Sequence, residues 1–208
     1  NEGFMEVKRG CMIAVSAISN IGDKILLSNG EEICYTKRKK KALREELQKK
    51  QELMIAKISK KKLPLTPEEY GKYYKICDSL PFAFTDIEMV FNEEKKAVDW
   101  IFRYGNEALA TLEKLPLDKM IGNSFSSLFS NMDAKWLHVY ERATLYGETL
   151  EIMDYSPEID TNLKIICFPT FPGHCGCILF NADQMKSISE ENHLVRLAAV
   201  AMKSNTTI

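Results

Sequence analysis

At Pro81 the sequence changes period, and that change constrains the fold more than any other feature. Downstream, "FAFTDIEMVF" and "AVDWIFRY" alternate apolar and polar side chains, with the charged "NEEKK" between them. Alternation of period two marks a strand with one buried face, and two such runs joined by a short polar segment predict an antiparallel hairpin. Short helices follow: "NEALATLEKLP", "GNSFSSLFS" with Asn123 or Ser124 as its cap, and "DAKWLHVYERATLYG" with Asp133 as N-cap and Gly147 at its end. Three more strand-like runs complete the stretch: "TLEIMDYS", "NLKIICFPTF" and "HCGCILFNA". The order predicts an α+β fold.

Before Pro81 the pattern is helical. Thr66, Pro67 and Glu69 supply an N-cap, an N1 proline and a capping-box acid for a helix over 67–80 that carries Tyr70, Tyr73, Tyr74, Cys77 and Leu80. Ahead of it, "KRKKKALREELQKKQELMIAKISKKK" (37–62) lacks Gly and Pro and predicts a helix that Pro64 ends. Its 12 Lys/Arg face 3 Asp/Glu, leaving 16 against 26 elsewhere, so a net charge of −1 conceals a basic arm on an acidic remainder. Leu43, Leu47, Met54 and Ile58 form a narrow near-heptad seam in which Lys50 takes one apolar slot; such a helix can pair with a second copy or lie on a globular body. Residues 1–36 hold two apolar runs, "CMIAVSAI" and "KILLSNGEEICYT", read as a pair of strands or a strand and a helix that must pack on something else, as a remnant of an upstream domain would. From Ser187 to Ser204 helical spacing returns, with Leu194, Leu197, Ala198 and Ala201 on one face.

No stretch approaches the roughly 18 uninterrupted apolar residues of a membrane span, and the six cysteines lack the regular spacing of a secreted disulfide scaffold. A cytoplasmic location is expected. The chain begins at Asn1 without a leader pattern, which reads as a processed or excised piece of a longer protein.

Three segments carry a family resemblance. "ICDSLPFAFTDIE" joins a helix to a first strand through a small-residue/Pro turn; "WIFRYGNEALATLEKLPLDKMIGNSFSSLF" ends its second strand at Asn106 and turns at Ile121-Gly122; "YSPEIDTNLKIICFPTFPGHCGCILFNADQ" supplies three strands and an exit. Together, residues 76–185 resemble a PAS domain, a signal-transduction family. The resemblance implies a five-stranded antiparallel sheet with helices over one face, entered by a helical segment at 37–75 and left by a signalling helix at 186–208. It also implies a small ligand or partner on the inner sheet face, a homodimer formed through the flanking helices, and a bacterial-type sensor whose output domain lies elsewhere. Asp183 and Gln184 stand where the family has its signal-relay exit, Ala182-Asp183-Gln184 being a partial match to Asp-Ile-Thr. On such a sheet the inner-face candidates, which either line a pocket or fill a core, are Trp100, Phe102, Leu128, Leu137, Tyr140, Ile152, Ile166 and Phe168.

"PGHCGCILF" raises a chemical question. On a strand Cys175 and Cys177 share a face, but a structural zinc site wants four ligands and only Cys167 offers a third thiol, so no metal is assigned. A redox pair would need a cation near the thiols, and only His174 is at hand. Small residues that permit close packing are the simpler reading. Haem-binding members of the family carry a proximal histidine on the long helix, where His138 lies. The helix phase instead sets Leu137, Tyr140, Ala143 and Thr144 inward and Trp136, His138 and Glu141 elsewhere, leaving His138 at the solvent edge. The photoreactive flavin subfamily has an Asn-Cys-Arg-Phe-Leu-Gln motif, whereas Asn106 is followed by "EALATL", so no cofactor is assigned. No Gly-rich phosphate loop, HExxH or Gly-x-Ser-x-Gly is present, so no catalytic residue is assigned either. The rival class is a nucleic-acid- or partner-binding regulator, with the PAS-like fold as a dimerisation scaffold and Lys37–Lys62 as the contact helix.

Overall fold

The computed structural model describes residues 3–61, 65–130 and 134–182. Asp133, Asp183, Gln184 and the helix expected at 187–204 lie outside them. The chain divides into two compact units, residues 1–57 and 58–208.

The first unit contains five short strands, the first of them ahead of the two apolar runs. β1 (Phe4–Lys8) pairs antiparallel with β2 (Cys11–Ala14), and β3 (Ile18–Ile21), β4 (Ile25–Leu27) and β5 (Glu32–Ile33) form a second antiparallel sheet. "CMIAVSAI" breaks because Val15–Ala17 winds into a 3-10 turn, held by Val15 N–H donating to the Gly3 carbonyl and Ser28 N–H to that of Ala17. Helix α1 (Lys40–Lys61) follows; its Leu43 and Ile55 are buried, and Arg44 donates to the Ile21 carbonyl at 2.6 Å. Lys50 fits an apolar slot because its ammonium donates to the Phe4 carbonyl and pairs with Glu46 while its stem lies along the helix.

The second unit starts with α2 (Pro67–Tyr73), capped as its sequence predicts: Glu69 N–H donates to Thr66 Oγ1 and Thr66 N–H to the Glu69 carboxylate at 2.7 Å. The helix expected to reach residue 80 stops at Tyr74 and tightens into a 3-10 turn over Lys75–Ser79, which brings the Cys77 carbonyl onto Asn106. β6 (Ala83–Phe91) and β7 (Ala97–Gly105) form the expected hairpin, turned by Asn92, whose side chain accepts from Lys96 N–H. Then come α3 (Glu107–Glu113), α4 (Leu117–Met120), α5 (Phe125–Leu128) and α6 (Ala134–Tyr146), followed by β8 (Leu150–Ser156), β9 (Thr161–Pro169) and β10 (His174–Asn181). The strand order is β7-β6-β10-β9-β8, all antiparallel.

This α+β architecture, a five-stranded antiparallel sheet with helices α3 to α6 over one face, is the one the resemblance implies. Both faces are buried. The inner layer contains Ile87, Trp100, Phe102, Leu109, Tyr140, Ile165 and the three thiols Cys167, Cys175 and Cys177. The outer layer contains Tyr70, Tyr74, Phe84, Tyr104, Ile166, Phe168 and Ile178. A β-bulge in β7 reconciles Phe102 and Tyr104 with opposite faces: Phe102 stands across from Ile87 and Tyr104 from Asp86, leaving Arg103 as the extra residue.

Candidate functional site

The inner face and its helices line a partly open cavity of about 30 Å3. Aromatic rings make its walls: Trp100 and Phe125 lie 4.3 Å apart centroid to centroid, and Tyr140 meets Trp100 edge-on at 5.1 Å. Polar groups enter from Thr85, Glu113, Ser156 and Glu158. Ser156 donates to Glu158 Oε2 at 2.6 Å, while Glu158 Oε1 is buried without a hydrogen-bond partner. Burial, with the charge of Glu158 adding, pushes the Glu113 carboxyl up to about 7. The unfolded chain ionises this group near 4.5, so stability falls as pH rises from there to about 7 and stays lower above. Glu113→Gln is therefore expected to stabilise the protein by about 2 kcal/mol at pH 8 and by almost nothing at pH 4, read from urea unfolding at both.

The inner-face candidates divide. Trp100, Phe102 and Tyr140 line the cavity, while Leu128, Leu137 and Ile152 do not and pack, partly buried, against the inner core. Ile166 and Phe168 lie on the opposite face, because on β9 the inward residues are Leu163, Ile165 and Cys167. On helix α6 Tyr140, Ala143 and Thr144 are buried as expected, but in the first turn Trp136, expected to point elsewhere, reaches the cavity in place of Leu137. His138 is not among the lining residues; its Nε2 is buried without a partner, and burial, reinforced by Arg142, lowers its pKa.

On the outer face, sequence reasoning missed a buried polar cluster. Asp86 is 0% exposed and accepts from three side chains: Tyr74 at 2.7 Å, Thr170 at 2.5 Å and His174 Nδ1 at 2.6 Å. That contact assigns the Nδ1 proton to Asp86 and leaves His174 Nε2 facing the Tyr70 hydroxyl at 3.3 Å, with Glu88 4.0 Å away. Glu88 in turn takes Arg103 at 2.6 Å. Burial and the Asp86 charge push the Tyr74 phenol far above its ordinary range and Tyr70 up to about 12, so both remain donors. The cluster pins α2 to the sheet. Its signal was the Tyr70/Tyr74 pair at i, i+4, which places two hydroxyls on one helix face above the "polar" positions of β6.

The "PGHCGCILF" question has a packing answer. Cys175 and Cys177 do share the inner face, with their sulfurs 3.8 Å apart, while His174 points to the other side. Among the described residues, no group of three or more His, Cys, Asp or Glu is placed to hold a metal. Burial raises the Cys175 and Cys177 thiols, and a hydrogen bond with Cys175 followed by burial raises Cys167, favouring the unreactive protonated form. Gly176 is glycine because a Cβ there would come within 2.8 Å of Thr170 and 2.9 Å of the Phe168 ring.

In the first unit, five cations, Lys37, Arg38, Lys40, Lys41 and Arg44, line a surface groove at the start of α1 together with Glu45 and Gln48. Among the described residues, no helix is long and apolar enough to cross a membrane.

No family model and no curated protein matches the sequence. Sixteen chains of solved structures match. One of them, a structure of a point variant of RsLOV, is 13% identical, with a TM-score of 0.42, covering 65% of this chain and 80% of that one.

Proposed function

We propose that the second unit is a PAS-type sensory module that binds a small ligand on its inner face and relays occupancy through flanking helices to an output domain elsewhere in a longer protein. The observation that carries this reading is the placement of β10 between the inner cavity and the buried polar cluster of the outer face. Cys177 lines the cavity, and His174, three residues earlier on the same strand, holds Asp86 beneath α2. A ligand that shifts β10 alters the seat of α2. It biases the output only insofar as it binds the two arrangements with different affinity. Asp183 and Gln184, which follow β10 in the sequence, are the second proposed route for the signal, and the flanking helices are proposed to form a homodimer.

Native mass spectrometry of the purified chain, with an absorption spectrum to about 700 nm on the same sample, tests the reading. A retained small molecule in a dimer is the expected result. An apo monomer that no small molecule stabilises would sink it.

The cationic groove of α1 supports a second reading, a contact surface for nucleic acid. That role predicts affinity falling steeply with salt, with a slope reduced by about one unit per phosphate contact removed. Replacing Lys39, Lys40 and Lys41 with Glu is then expected to abolish binding to a short DNA or RNA duplex in a gel-shift titration at several salt concentrations. Salt-independent binding, or none before the substitutions, rules this reading out.

A further inference from the structure

The inner cavity joins two features that rarely meet in a core: an aromatic wall, and carboxylates that pair with no cation among the described residues. Trp100, Phe102, Phe125, Trp136 and Tyr140 present their rings to the space. Glu113 and Glu158 enter the same space from the end of α3 and the β8–β9 turn. Ser156 occupies one oxygen of Glu158, and the other is buried with nothing to accept from. Lys114, the residue after Glu113 at the C-cap of α3, donates its ammonium to the Ile159 carbonyl at 3.3 Å. Beside Tyr140 the ionisable neighbours are Glu113 and the thiols Cys167, Cys175 and Cys177, and burial opposes ionisation of each thiol.

Water can donate to the free Glu158 oxygen, but it brings no charge to offset the two carboxylates and gains little from the ring faces. A hard metal ion is a poor match too, since it wants about six oxygens around it and the rings supply none. Organic ammonium satisfies both features: its N–H groups donate to the carboxylates, and its positive charge sits over the negative faces of the rings. Size limits it further, because a cavity of about 30 Å3 holds about two heavy atoms, a single water needing roughly 10–15 Å3 on the same measure.

We propose that the inner cavity binds a small primary ammonium cation of methylammonium size, held by Glu113 and Glu158 against the aromatic wall. This rests on the ligand-sensing reading above and gives it a ligand class. Because Glu113 ionises at about 7, occupancy rises with pH through that range.

The chain has two tryptophans, and both line the cavity, so intrinsic fluorescence reports on it directly. Titration of the full chain with methylammonium chloride, against sodium chloride at equal ionic strength, is expected to give a saturable change that is stronger at pH 8 than at pH 6. Glu158→Gln and Glu113→Gln should each weaken it about tenfold, the loss of one charge-assisted hydrogen bond. Since Glu113→Gln is expected to be the more stable protein at pH 8, lost binding in that variant is not lost folding. Absence of a saturable methylammonium response, or a response indifferent to both substitutions, overturns the proposal. Acetate and ethanol, anionic and neutral probes of similar size, then decide how much falls with it. A saturable response to either leaves a ligand-sensing cavity of different chemistry, and silence from all three, with no molecule retained in the native mass spectrum, removes the sensor reading as well.

Discussion

Asp86→Ala is expected to destabilise the protein by about 3–5 kcal/mol, the range for removing one partner from a buried charge network. The substitution removes the common acceptor of Tyr74, Thr170 and His174 without letting water in. Three donors are left where nothing else accepts, and each carries the cost of an unmet buried hydrogen bond, about 1–3 kcal/mol before relaxation. Asp86→Asn separates the contributions: it keeps an acceptor for the two hydroxyls and discards the charge that faces His174. It should fall between wild type and Asp86→Ala in urea unfolding monitored by circular dichroism. A loss below about 1 kcal/mol for Asp86→Ala would mean that the outer layer opens to solvent and that α2 is not seated as described. The effect should be largest on α2, whose amides should exchange faster than those of the strands beneath.

Asn106→Ala is expected to cost about 2–4 kcal/mol, the sum of a lost N-cap and buried groups left without partners. Asn106 is 1% exposed, and its amide uses both ends. Its oxygen accepts from Phe84 N–H at 3.0 Å and Leu109 N–H at 3.1 Å; its nitrogen donates to the carbonyls of Cys77 at 3.0 Å and Phe82 at 2.9 Å. One side chain thus joins the 3-10 turn, β6 and the start of α3. Aspartate at this position keeps the two accepting bonds and loses the donating ones, so Asn106→Asp should retain the cap while setting a charge against two carbonyls. Thermal unfolding ranks the outcome: wild type highest, with both variants well below. Equal stability for Asn106→Ala and wild type would contradict the role of Asn106 as the junction.

The hairpin, the capping box and the shared face of Cys175 and Cys177 were all legible in the sequence, because each is a local pattern with a fixed period or spacing. The parity of β9 was not. Asn162, Lys164 and Thr170 mark one parity near the ends of "NLKIICFPTF", but no polar residue interrupts "IICF" between them, since the strand lies inside the sheet and is buried on both sides from Leu163 to Phe168. Ile166 and Phe168 were therefore assigned to the wrong layer. The error on α6 has another origin: Trp136 and Leu137 are both apolar, and one step along a helix is a rotation of about 100°. Asp86 and Glu88 followed the alternation rule and read as solvent-facing, which holds only while nothing packs on that side. Tertiary cover by α2 turned a solvent face into a second core, and no local pattern reports that kind of cover.

The bulge at Arg103 carries a consequence for how this strand is counted. Up to Phe102 the even-numbered residues of β7 that are buried serve the cavity; beyond it, Tyr104 serves the layer under α2. The strand is read in two frames, and the shift between them is one residue long. A relative lacking that residue would pair Phe102 and Tyr104 with the same partners in an unbroken ladder, losing only the guanidinium that meets Glu88. In this part of the molecule the layer a side chain joins is set by arithmetic, and aligning such sequences without a gap at this point would place equivalent tyrosines on opposite sides of the sheet.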